Sequence, residues 1–65
     1  MKQIHILKTV KGWTAKCNSA PADLISGADK NVVVKEAVGL AKRLYGKAVI
    51  FIHGLDGRIL EQRDI

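Results

Sequence analysis

Residues 48–65 read Ala-Val-Ile-Phe-Ile-His-Gly-Leu-Asp-Gly-Arg-Ile-Leu-Glu-Gln-Arg-Asp-Ile. An unbroken apolar run, a glycine-rich turn and a second, alternating run make this a β-hairpin. An apolar strand left bare would template aggregation, so Val49 to Ile52 must lie in a sheet that another part of the chain covers. Gly57 fits the left-handed position of a three-residue loop, Leu55-Asp56-Gly57, with a two-residue Asp56-Gly57 turn as the alternative. The two options differ by one residue of register. Either Val49 and Phe51 or Ile50 and Ile52 therefore meet the cover, and the other pair lies on the far face. That surplus apolar strip, beside Leu7, is a dimer or partner surface unless a loop covers it or the sheet curls.

Upstream, the cover is a helix. It starts near Asp29 or Asn31, both competent N-caps, and runs to Tyr45, where Gly46 ends it. At 3.6 residues per turn, Val33, Val34, Ala37, Val38, Leu40, Ala41, Leu44 and Tyr45 share one side, with Lys35, Glu36, Gly39, Lys42 and Arg43 opposite. Lys42 and Arg43 in the last turns suit the helix dipole. The β-branched run Val32-Val33-Val34 would suit a strand, but the caps and the downstream spacing favour a helix over residues 31–45.

Residues 2–18 form the other hairpin, with Lys11-Gly12 expected as the turn and Gly12 supplying its positive φ. That register sets Val10 against Trp13, Lys8 against Ala15 and Ile6 against Cys17. Ile4, Ile6, Val10, Trp13, Ala15 and Cys17 then share the core face. Lys8 interrupts this face and snorkels at its margin. The opposite face carries Gln3, His5, Leu7, Thr9, Thr14, Lys16 and Asn18 and is expected to face solvent. Residues 18–30 are rich in turn formers, and Pro21 argues against a central strand. Leu24 and Ile25 pin this connection to the core or form a short edge strand. The expected fold is one α+β domain over residues 1–65: ββαββ, an antiparallel four-stranded sheet with one helix packed on one face.

The 65-residue chain has room for one small core and no deep cleft. Cys17 is its only cysteine, which excludes an internal disulfide framework and suggests a buried thiol in a reducing compartment. No apolar stretch approaches a membrane span, and the amino terminus lacks a signal-peptide layout, so a cytoplasmic protein is expected. Eleven Lys and Arg against six Asp and Glu give a net charge of +5, which favours polyanions or an acidic protein as partners. Lys2, Lys8, Lys11 and Lys16 lie in the first twenty residues without an acid among them.

His5 and His53 are the side chains suited to acid–base work near neutrality, and a single-histidine ribonuclease is the sharpest catalytic reading they allow. No second catalytic partner stands at a recognisable spacing. Cys17, His5 and His53 show no paired metal-ligand spacing, so neither metal nor cofactor is expected. Gly54-Leu55-Asp56-Gly57 precedes a strand and lacks the helix amino terminus of a phosphate loop, which leaves it as turn chemistry. Arg58 and Arg63 can pair with Glu61 or Asp64 or contact phosphate. Trp13, Tyr45 and Phe51 all sit in core-directed patterns, so no stacking platform for bases is expected, and backbone contact to a duplex is the surviving nucleic-acid mode.

Three motifs stand together: Gly12-Trp13, the helix segment Glu36-Ala37-Val38 followed by Ala41 and Leu44, and His53-Gly54-Leu55-Asp56-Gly57-Arg58-Ile59. With these, most of the chain resembles a family of small bacterial proteins catalogued as a domain of unknown function. Its pattern is a Gly-Trp turn and a closing His-Gly-x-Asp-Gly-Arg-Ile hairpin. Residues 18–32 depart from that pattern. The resemblance implies a bacterial or phage origin and the ββαββ order, and it brings no catalytic residues.

The functional expectation is a small basic non-enzymatic binding module. Lys8, Lys11, Lys16 and Arg58 would contact a nucleic-acid backbone or an acidic protein by charge alone. The alternative is a homodimeric interaction domain using the apolar far face of the sheet.

Overall fold

The computed structural model describes residues 2–20 and 22–65, so Pro21 lies outside the described residues. The chain runs β1 (Lys2–Thr9), β2 (Gly12–Cys17), β3 (Ile25–Gly27), α1 (Lys30–Tyr45), β4 (Ala48–His53) and β5 (Ile59–Asp64). The strands form one sheet in the order β3-β2-β1-β4-β5. The α+β class and the single helix on one face agree with the sequence reading, while strand count and direction do not.

The fifth strand, β3, is built from Ile25 in the connecting segment, pairing Trp13 with Gly27 and Ala15 with Ile25 along the β2 edge. The larger correction is at the centre, where β1 and β4 are parallel, with Ile4 beside Ile50 and Ile6 beside Ile52. A purely antiparallel sheet would require β4 to start where β1 ends. The helix prevents this: sixteen residues carry the chain back along the full length of the sheet, so β4 starts level with the start of β1.

Each helix end has a local cause. Asp29 holds extended dihedrals, and its Oδ1 accepts from the backbone N–H groups of Asn31 (2.8 Å) and Val32 (3.4 Å). At the other end the Gly46 N–H donates to the Lys42 carbonyl at 3.1 Å. The helix buries Val33, Val34, Ala37 and Ala41 against Ile4, Ile6, Ala15, Cys17, Ala48, Ile50 and Ile52. Leu44, expected in that stripe, is more than half exposed at its margin.

The first turn is shifted from its expected place. Thr9 pairs with Gly12 and Lys8 with Trp13, so Val10 and Lys11 make the turn. Val10, expected in the core, is fully exposed. The slip is two residues along the ladder, which leaves every other side chain on its expected face. Gly12 is required for a different reason: a Cβ there would lie 2.4 Å from the Gly27 carbonyl oxygen, with φ at +145°. The second turn is the three-residue loop, closed by the Gly54 N–H donating to the Arg58 carbonyl at 2.7 Å, with Gly57 at φ +86°. That register turns Ile50 and Ile52 toward the helix and Val49, Phe51 and His53 away from it.

Candidate functional site: the open sheet face

Because one helix covers one side, the other side of the sheet presents Gln3, His5 and Leu7 of β1 beside Val49, Phe51 and His53 of β4. Among the described residues no helix or strand lies over them, and the five from His5 to His53 in this set that are apolar or aromatic are half-buried. Parallel pairing puts His5 directly beside Phe51, with ring centroids 5.0 Å apart and planes 18° from parallel. The expectation that Phe51 points into the core is thereby corrected. A small aromatic platform exists on the open face.

His53 extends this platform into a hydrogen-bonded chain. Its Nδ1 is 2.9 Å from the Gly57 carbonyl oxygen, which only accepts, so Nδ1 carries the hydrogen. In the neutral ring Nε2 is then the acceptor, and it receives the His5 Nδ1–H at 2.9 Å. His5 Nε2 is left with a lone pair. Burial, and then the neighbouring His53, hold the His5 imidazole below its ordinary value, so near neutrality that nitrogen stays unprotonated.

The opposite corner of this face is polar and closed. Thr14, expected to face solvent, is only 1% exposed, because Asp23 of the preceding loop and Ser26 of β3 cover it. Its hydroxyl donates to Asp23 Oδ2 at 2.7 Å and lies 3.1 Å from the Ile25 carbonyl oxygen and Ser26 Oγ. Asp23 also binds Lys16 Nζ at 2.7 Å. Bonds from Lys16 and Thr14 pull its carboxyl below the usual range.

The four cations named from the sequence do not form one patch. Lys16 is countered by Asp23 on the open face. Lys8 sits on the helix side, 6.0 Å from the Trp13 ring centroid, with its Nζ donating to the Thr9 carbonyl at 2.7 Å. Lys11 is exposed in the β1–β2 turn, and Arg58, held by Asp56 at 3.2 Å, stands in the β4–β5 turn. Since β1 and β4 run the same way, these two turns emerge at the same end of the sheet, carrying the exposed Val10 and Leu55 with them. His53 joins this cationic end to the aromatic platform through Gly57.

The group His5, Phe51 and His53 escapes a local reading of sequence because their adjacency depends on the β1–β4 pairing. The available signal is the alternation in Val-Ile-Phe-Ile-His, which puts Phe51 and His53 on one face whichever register holds. Among the described residues no three His, Cys, Asp or Glu side chains converge on a metal position. The fold and face define an α+β domain with one sealed and one open sheet surface. No family model, curated protein or solved structure matches the chain.

Proposed function

We propose that this protein is a small non-catalytic binding module that holds single-stranded nucleic acid on its open sheet face in a cytoplasmic setting. Bases stack on Phe51 and His5, and Lys11 and Arg58 take phosphates at the adjoining turns. The observation that carries this reading is the His5–Phe51 stack on a face over which no helix or strand of the described residues lies. Lys8 adds charge from the helix side of the same end, and Lys16, countered by Asp23, contributes least.

Fluorescence anisotropy with mixed-sequence RNA and DNA oligonucleotides tests it. Single strands should bind at low salt and dissociate steeply as salt rises. Phe51→Ala should weaken binding about tenfold or more, because stacking is worth roughly 1–3 kcal/mol per base. Equal binding by Phe51→Ala, or none by the wild type, would overturn the reading. The His5–His53 hydrogen bond favours a second, catalytic reading in which His5 Nε2 acts as general base toward a 2′-hydroxyl. RNA that binds yet stays intact on prolonged incubation excludes it.

A further inference from the structure

β5 borders the sheet, and all six of its residues are exposed. The helix packs on β1 to β4 and stops short of β5, leaving a groove of about 510 Å³ lined by Val34, Val38, Ile52 and Leu60 among others. The opposite border, β3, is only three residues long. β5 is thus the longer unpaired edge, and it carries no proline to block pairing.

Its backbone polarity can be read from one bond. The Ile65 N–H donates to the Ala48 carbonyl at 3.0 Å, so by alternation Arg63 and Glu61 direct their backbone groups at β4. Gln62 and Asp64 turn theirs outward. An antiparallel partner strand must therefore pair through Gln62 and Asp64. In a second copy of this chain, setting Gln62 against the partner's Gln62 satisfies both outward N–H and C=O groups reciprocally. The same register puts Glu61 opposite the partner's Arg63, and Arg63 opposite the partner's Glu61. Both are non-hydrogen-bonded positions, where facing side chains come closest. A slip of two residues one way sets Glu61 against the partner's Glu61. A slip the other way sets Arg63 against the partner's Arg63. Like charges directly opposite are unfavourable, so one register is selected.

We infer that the protein forms a two-fold homodimer by antiparallel pairing of β5 with β5 of a second copy, centred on Gln62. The charges that keep this edge from pairing indiscriminately are the ones that admit its own copy. Glu61 and Arg63 already form an ion pair within the chain, and dimerisation makes it a ring of four alternating charges. Both helices then lie on one side of a continuous sheet and both open faces on the other.

Analytical ultracentrifugation of the full chain, without nucleic acid, tests this separately from the binding reading. The wild type should show a concentration-dependent dimer. Gln62→Pro should be monomeric with unchanged circular dichroism, since the lost N–H points away from β4. Glu61→Arg and Arg63→Glu should each dimerise about tenfold or more weakly alone. Mixed in equal amounts, the two should associate, because every facing pair is then of opposite sign. A wild type that stays monomeric up to its solubility limit would overturn the inference. So would a dimer indifferent to both charge reversals, or a mixture no more associated than its components.

Discussion

Ile50 and Phe51 are neighbours in one strand and live in different worlds. Ile50 is fully buried under the helix, beside Ile4 and against the helix side chains, whereas Phe51 lies half-covered on a face over which, among the described residues, no helix or strand runs. The chain has apolar material for two covered surfaces and a helix for only one. The difference teaches that one side of a single sheet carries the core while the other, one residue away in sequence, is left free for the binding proposed above.

Truncation on the sealed side should produce the largest effect. Ile50→Ala removes a side chain with no exposed surface and should cost about 2–5 kcal/mol, read as a shift in the urea midpoint. A domain of this size holds only about 3–5 kcal/mol in reserve, so the variant should be substantially unfolded. Phe51→Ala should cost about 1–2 kcal/mol, near half the value of a fully buried aromatic, and leave the circular dichroism intact. A larger loss for Phe51→Ala than for Ile50→Ala would erase the division between faces.

Asp29→Ala sharpens the comparison from the helix side. Removing the cap that accepts from Asn31 and Val32 should lower stability by about 1 kcal/mol in denaturant titrations while leaving oligonucleotide affinity at its wild-type value. The smallest effect concerns pH. The folded state depresses the His5 pKa from 6.5, so between that value and the lowered one the unfolded chain binds more protons. The stabilisation from the neutral imidazole is therefore full above about pH 6.5 and declines as pH falls below it. Urea midpoints measured from about pH 7.5 to about pH 5 should fall, and His5→Gln should flatten that slope. On the open face the same protonation adds positive charge, so oligonucleotide affinity should rise as stability drops.

Much of this fold is legible in the chain because its signals are local. Asp29 and Gly46 mark the helix ends, Gly57 marks the second turn, and the helical spacing of Val33, Val34, Ala37 and Ala41 marks the buried stripe. Each depends on residues within a few positions of one another. The errors fall where partners are distant. The parallel β1–β4 seam joins residues more than forty positions apart and leaves no mark on either strand. The turn at Val10 and Lys11 is hidden because a two-residue slip preserves the alternation of faces. Thr14 looks like a solvent-facing residue until Asp23 and Ser26 are folded over it. The platform of His5, Phe51 and His53 is illegible for the same reason as the seam that creates it.

The central seam also governs how the molecule comes together. Each hairpin can zip from its own turn, but Lys2 meets Ala48 only after the intervening chain has been drawn in, and that closure carries the largest entropic toll. The core layer stays incomplete until it happens, since Ile4 and Ile6 from one half and Ile50 and Ile52 from the other complete the same layer beneath the helix. The rate-limiting ensemble is therefore expected to contain the docked helix with the two innermost strands side by side. Substitutions at Ile4 or Ile50 should retard refolding, while those in β5 should chiefly hasten unfolding.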